Sequence, residues 1–189
     1  MTSRAPLVFA FALSLAAPLA QAAPASYRLE PAQSTLSFSF TQAGAQNQGR
    51  FVKFDVSLAL DVAQPAQGRL EVNVDVGSLD TGDKDRDDTL RGAELFNVAK
   101  FPRAHFASTA ITRIDASHYE AAGKLTIRDV TRELKIPFTF APGPAGNSMN
   151  GQVVIKRLDF GVGQGDWKST EWVGNDVAVS FALHLTSHP

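Results

Sequence analysis

Apolar and polar residues alternate with a period of two in segment after segment of this 189-residue chain, and no other feature limits its fold as strongly. Between Ser34 and Thr41, Leu36, Phe38 and Phe40 oppose Thr35, Ser37 and Ser39. Val52 to Val62 repeats the pattern, with Val52, Phe54, Val56, Leu58, Leu60 and Val62 on one face. Leu70, Val72, Val74 and Val76 follow, then Ala104 and Phe106. Later come Tyr119 to Ile127, Leu134 to Phe140, Met149 to Ile155, and Val177 to Leu185. One apolar face per strand is the mark of antiparallel strands that bury a single side. Pro65 to Gly68 and Ala141 to Ser148 are turn-rich connections, and Pro137 inside a strand pattern predicts a strand end, an edge or a bulge. Eight such strands predict an all-β fold, a sandwich or a closed barrel, and closure leaves no unpaired edge. The interior of an eight-stranded barrel either fills with side chains or holds one small ligand.

The alternation begins only after the first two dozen residues. Arg4, the apolar run Leu7 to Ala20 and the small-x-small sequence Ala20-Gln21-Ala22 read as a secretory signal peptide over residues 1–22. The run is shorter than the roughly 20 residues needed to span a bilayer. The expectation is an exported, periplasmic protein with one domain over residues 23–189. Lys plus Arg number 18 against 19 Asp plus Glu, so no basic field invites nucleic acid. Cys is absent, which excludes disulfides, thiolate metal sites and a cysteine nucleophile. Phe numbers 13 against 2 Tyr, a skew toward aromatics without a polar handle, and Phe9 and Phe11 leave with the leader.

Two segments break the period, and function concentrates in such places. Leu79 to Phe101 opens with acidic residues and reads as a short mid-chain helix with carboxylates at its N-terminus. Asp83, Asp85, Asp87 and Glu94 also match positions 1, 3, 5 and 12 of a calcium loop, but Asp88 stands where Gly is needed. Gly161 to Asn175 is glycine-rich and holds both tryptophans, Trp167 and Trp172. Other chemical patterns fail. Gly146 to Asn150 lacks the closing Gly of a nucleophile elbow, and Gly161-Val162-Gly163 lacks a following helix. His184 and His188 would lie about 13 Å apart along a strand, too far to share a metal ion. His105 falls on a polar face.

The linear order of several short motifs resembles the YceI-like family of exported, lipocalin-like isoprenoid-binding proteins. They are Tyr27-Arg28-Leu29-Glu30-Pro31 with Ser34-x-Leu36-x-Phe38, Gly49-Arg50-Phe51 with Phe54, and Arg86-Asp87-Asp88-x-Leu90-Arg91-Gly92 running on to Phe101-Pro102. Phe106-x-Ser108, Gly123-x-Leu125-Thr126-Ile127-Arg128, Val130-Thr131-Arg132, Arg157-x-Asp159-Phe160-Gly161 and Val173-Gly174-Asn175-Asp176-Val177 complete the series. The resemblance implies an eight-stranded antiparallel lipocalin-like barrel with a polyisoprenoid in an apolar lumen, a helical segment near one end, no catalysis, no metal and no cofactor. Asp129 departs from a Gly expected in its turn, and the polar stretch Gln42 to Gln48 departs from relatives that carry a His there.

Strand parity nominates the residues that would face such a ligand: Phe38, Phe40, Phe54, Val72, Val74, Phe106, Leu125, Ile127, Phe138, Phe140, Val153, Ile155, Val179, Phe181 and Leu183. For each, lining a ligand and packing only against other side chains stay open. Trp167 and Trp172 would gate the mouth or plug the barrel end. Arg157 and Asp159 are expected to pair with each other or with backbone rather than with a head group. The expected partner is a hydrophobic isoprenoid or quinone-type lipid, with membrane contact and a homodimer left open. A ligand-free barrel that binds a partner through the tryptophan loop is the alternative, and a lipid-modifying enzyme a more remote one.

Overall fold

The computed structural model describes residues 24–144 and 146–188, so the leader expected over residues 1–22 lies outside the described residues. Within them the alternation becomes β1 (Ala25–Leu29), β2 (Thr35–Gln42), β3 (Ala45–Phe51), β4 (Phe54–Leu60), β5 (Arg69–Asp75), β6 (Leu79–Asp80), β7 (Arg103–Arg113), β8 (His118–Ile127), β9 (Val130–Ala141), β10 (Asn147–Lys156) and β11 (Val173–His188). The helix α1 (Lys84–Arg91) lies between β6 and β7. All pairings are antiparallel in the order β1-β4-β5-β7-β8-β9-β10-β11, and β1 pairs again with β11, which closes a ring of eight.

β11, 16 residues long, spans both halves of the barrel. Its C-terminal part pairs with β1 through Leu29↔Leu185 and its N-terminal part with β2 through Thr35↔Ala182. β1 and β2 are thus one stave broken by a turn of 3-10 helix at Pro31–Gln33. Proline has no N–H to give to a ladder, and the Ser34 hydroxyl bridges the break: it donates to Glu30 O at 2.8 Å and accepts from His184 N at 3.0 Å. β3 and β4 are likewise one stave bent at Val52 and Lys53, which corrects the single strand expected from Val52 to Val62: both valines are exposed, outside the paired segment. The polar stretch Gln42 to Gln48, which carries no strand pattern, lies mostly in β3 and is held by a two-residue hairpin whose Ala43 and Gly44 both have positive φ. In the turn between β8 and β9 the positive φ falls on Arg128 and not on Asp129.

Pro137 stands where the β9–β10 ladder stops, since β10 pairs only with residues 138–141 of β9. Beyond it the two strands part toward one end of the barrel, and the segment after β10 bridges the gap through Arg132 Nε donating to Asp159 O at 3.3 Å. At the opposite end the interior is solid. Tyr119 stacks on Phe138 at 5.5 Å between centroids, Tyr27 meets Phe140 edge-on at 5.1 Å, and Ile111, Leu58, Leu60 and Leu185 are buried around them. Burial, with smaller contributions from Asp61 and Tyr119, raises the Tyr27 phenol above its ordinary pKa.

The β7–β8 turn at this end carries a pH-sensitive contact. Asp115 Oδ1 accepts from Ser117 N and His118 N at 3.0 Å and faces His118 Nδ1 at 2.8 Å. The Ser117 amide, then the His118 ring and amide, hold this carboxyl down to about 2. Its native value is below the unfolded one of about 3.9, so its contribution is present above pH 4 and is lost as pH falls from about 4 to about 2. A carboxyl-detected NMR titration should place the Asp115 midpoint near 2; a midpoint near 4 would show that the turn does not hold it.

Candidate ligand-binding site

The inward faces of the strands leave a cavity of about 500 Å³ inside the barrel, within the range of pockets that hold a small apolar molecule. Phe38, Phe40, Phe54, Val72, Val74, Phe106, Leu125, Ile127, Val153, Ile155, Val179, Phe181 and Leu183 line it, as does Trp167. Three nominated residues lie elsewhere. Phe138 and Phe140 share the inward parity but belong to the solid end, where they meet Tyr119 and Tyr27. Trp172 is 63% exposed and off the cavity wall, because the loop that carries it has no period to assign a face.

The lining also includes residues not nominated. Leu36, Val56, Leu70, Leu134, Ile136 and Met149 belong to the same strand alternation, so parity held their signal. Phe51 and Phe96 line the cavity from a strand end and from the segment after α1, where no period marks them. With Phe38, Phe40, Leu79, Leu90 and Val173 they form or pack against a second apolar cluster.

α1 and its cap Asp83 supply most of the polar wall, through Asp83, Asp85, Arg86 and Thr89, and Gln42 and Arg157 add to it. Asp83 caps the helix, accepting from Asp85 N at 3.0 Å and Arg86 N at 3.1 Å, and its other oxygen lies 3.6 Å from Arg86. Lys84 pairs with Asp88, which holds the Asp88 carboxyl below its usual range. Asp87, only 8% exposed, accepts from Thr81 N at 2.9 Å and Thr81 Oγ1 at 2.7 Å. Arg91 fastens the helix to the barrel by donating to Gly77 O at 3.0 Å and Leu79 O at 2.6 Å. The calcium-loop spacing therefore falls on a helix, with Asp83 and Asp87 engaged separately, and Glu94 beside Gly165.

Residues 161–173, joined through Gly163 N and Gln164 N to Glu94 O just after α1, are organised by Arg157, 5% exposed. Its guanidinium gives Nε to Gly174 O at 2.9 Å, Nη1 to Val162 O and Trp167 O at 2.9 and 2.7 Å, and Nη2 to Ser169 O and Val173 O at 3.1 and 2.8 Å. Those five contacts match the five N–H groups of an arginine. Arg157 does not pair with Asp159; of the two expected partners, backbone is the one observed. Burial lowers its pKa from the ordinary value. Gly163, at φ 124°, passes so close that a Cβ there would overlap Nη1. Arg128 ties this loop to the preceding one, donating to Leu95 O and, at 2.9 Å, to Gly161 O, with its guanidinium over Phe101.

One arrangement has a superficial likeness to hydrolase chemistry. Ser117 Oγ and Asp115 Oδ1 lie 3.4 and 2.8 Å from His118, but both face Nδ1, whereas a relay needs them on opposite ring nitrogens. The group sits on an exposed turn, outside the cavity wall.

Comparison with known proteins agrees with the geometry. A UPF0312 protein of Enterobacter sp. (strain 638) is 41% identical over 88 residues, 47% of this chain and 45% of that protein. One from Pectobacterium atrosepticum is 34% identical over 120 residues, 60% and 62% of the two chains. The chain thus spans about half to three-fifths of the length of these curated relatives. Among solved structures, Burkholderia cenocepacia BcnA superposes with a TM-score of 0.80 at 35% identity, covering 82% of this chain and 98% of that one. A polyisoprenoid binding domain from Saccharophagus degradans, implicated in plant cell wall breakdown, shares the fold at 0.66 and 18% identity, covering 86% and 98%. The YceI-like domain model matches residues 27–185, nearly the whole of the barrel, and the chain belongs to the YceI-like family.

Proposed function

We propose that the chain holds one long apolar isoprenoid lipid, a polyprenyl chain or a quinone tail, in the barrel lumen. The observation that carries this reading is the cavity of about 500 Å³, closed at the aromatic end and lined by apolar side chains except at Gln42, Arg157 and around α1. An isoprene unit of five carbons contributes about 3–4 kcal/mol when buried, so a few units offset the cost of ordering ligand and lumen without a charged anchor. The ligand class named for the Saccharophagus degradans domain supports the same choice. Export through the leader places this barrel in the periplasm, where it transports, stores or protects its lipid, with no catalysis and no cofactor. Trp172, exposed on the loop that holds Trp167, favours a membrane surface or membrane protein as the place of loading.

Protein purified without detergent should carry near-stoichiometric isoprenoid, released by organic extraction and identified by mass spectrometry. Protein that arrives empty, and takes up no isoprenoid alcohol after delipidation, would overturn the reading in favour of the ligand-free barrel.

A further inference from the structure

The wall of the lumen holds places where a phenylalanine tip occupies the space of a missing side chain. Phe38 on β2 is in register with Gly49 on β3, and Phe181 on β11 with Gly151 on β10. Cross-strand partners share a face, and a glycine leaves that face bare. Phe106 rests in the same way near Gly123, with its Cζ 2.8 Å from where a Cβ would stand. A ring seated on backbone adds apolar wall while taking little from the bore.

Gly49 differs from the other two. A Cβ on Gly123 would overlap the Ala107 carbonyl and one on Gly151 the Pro137 carbonyl, so those substitutions strain the sheet itself. A Cβ on Gly49 would meet only the Phe38 ring among its nearest neighbours. That ring has Phe51 at 5.1 Å and Phe40 at 6.1 Å, and it lines the cavity. Displaced from Gly49, it is left with the lumen as open space. The size of residue 49 is thereby transmitted to the bore through one side chain.

Resting on the reading of the lumen as an isoprenoid site, we propose that the Phe38–Gly49 pair sets the bore and selects a methyl-branched isoprenoid chain over a straight alkyl chain of equal carbon number. Each isoprene repeat carries a methyl branch that widens its cross-section. A lumen with room for the branches gains a contact from every one; a narrowed lumen admits only the straight chain. Fit or misfit of single carbons in an apolar pocket changes selectivity by about 10- to 200-fold.

The test compares farnesol with n-pentadecanol, which match in carbon number and hydroxyl group, by equilibrium dialysis against delipidated protein. Wild type should prefer farnesol by about tenfold or more. Gly49→Ala should weaken farnesol about tenfold and pentadecanol less than threefold, and adding Phe38→Leu should restore farnesol. Should Gly49→Ala fail to fold by circular dichroism, Phe38→Leu alone decides: it should gain about tenfold for retinol, whose ring needs a wider bore, and no gain counts against the proposal. Equal binding of both alcohols by wild type, or equal weakening by folded Gly49→Ala, overturns the bore proposal while the isoprenoid reading stands. Binding of neither alcohol by wild type overturns both.

Discussion

Replacing Arg157 by methionine is expected to destabilise the protein by about 3–5 kcal/mol and to empty the lumen. Methionine keeps much of the stem's apolar packing but withdraws five N–H donors at once. The carbonyls of Val162, Trp167, Ser169, Val173 and Gly174 then lose their shared partner. Val162 and Val173 are buried, so their carbonyls lose that bond without ready access to water, and the five losses are not independent because one side chain made all the bonds. At 2–4 °C per kcal/mol for a chain of this size, the melting temperature should fall by about 10 °C. Arg157→Lys should recover little, since one ammonium with three donors cannot reach carbonyls spread around a planar fork. The local consequence separates this from general destabilisation. In a Trp172→Phe background the remaining indole is Trp167, which lines the cavity, and its emission should shift to the red well below the unfolding temperature. Unchanged emission and unchanged lipid content in folded Arg157→Met would show that the loop holds its place without the guanidinium.

Arg157 also shows where sequence reasoning runs out. Its carbonyl partners lie 5 to 17 residues downstream, with the fold alone bringing them around one side chain. No residue-type pattern marks a cation solvated by backbone, and the nearby Asp159 suggests a pairing that the structure does not make. Strand parity, by contrast, was legible because a closed antiparallel barrel has a single buried side, so the alternation itself names the inward face. Parity carries no height. Phe38 and Phe138 obey the same rule, yet one lines the lumen and the other belongs to its solid floor, because position along the barrel depends on strand register. β3 escaped for the opposite reason: Gln46, Asn47 and Gln48 alternate nothing apolar, and the strand exists through its ladder to β2. Phe51 and Phe96 joined the lining from aperiodic segments. The acidic segment was legible as a helix through its capping chemistry, with Asp83 accepting two amides of the first turn.

The lumen itself should be separable from the stability of the barrel. Val153 and Val179 face each other in register on β10 and β11, both on the cavity wall. Changing both to Phe places two rings side by side, an arrangement that antiparallel neighbours favour. The rings enter existing space, so the penalty for overpacking a filled core does not apply. Filling an apolar void adds contacts instead. The lipid loses that space. Displacing one isoprene unit removes about 3–4 kcal/mol of burial, a 10²- to 10³-fold loss of affinity. Val153→Phe with Val179→Phe should therefore purify with less than about a tenth of the wild-type lipid, while its melting temperature matches or exceeds that of delipidated wild type. It should fall below that of lipid-loaded wild type, because a ligand that binds only the folded state adds its binding free energy to stability. If the double variant kept its full lipid load, the ligand would lie outside the lumen. The exposed surface near Trp172 would then be the place to look.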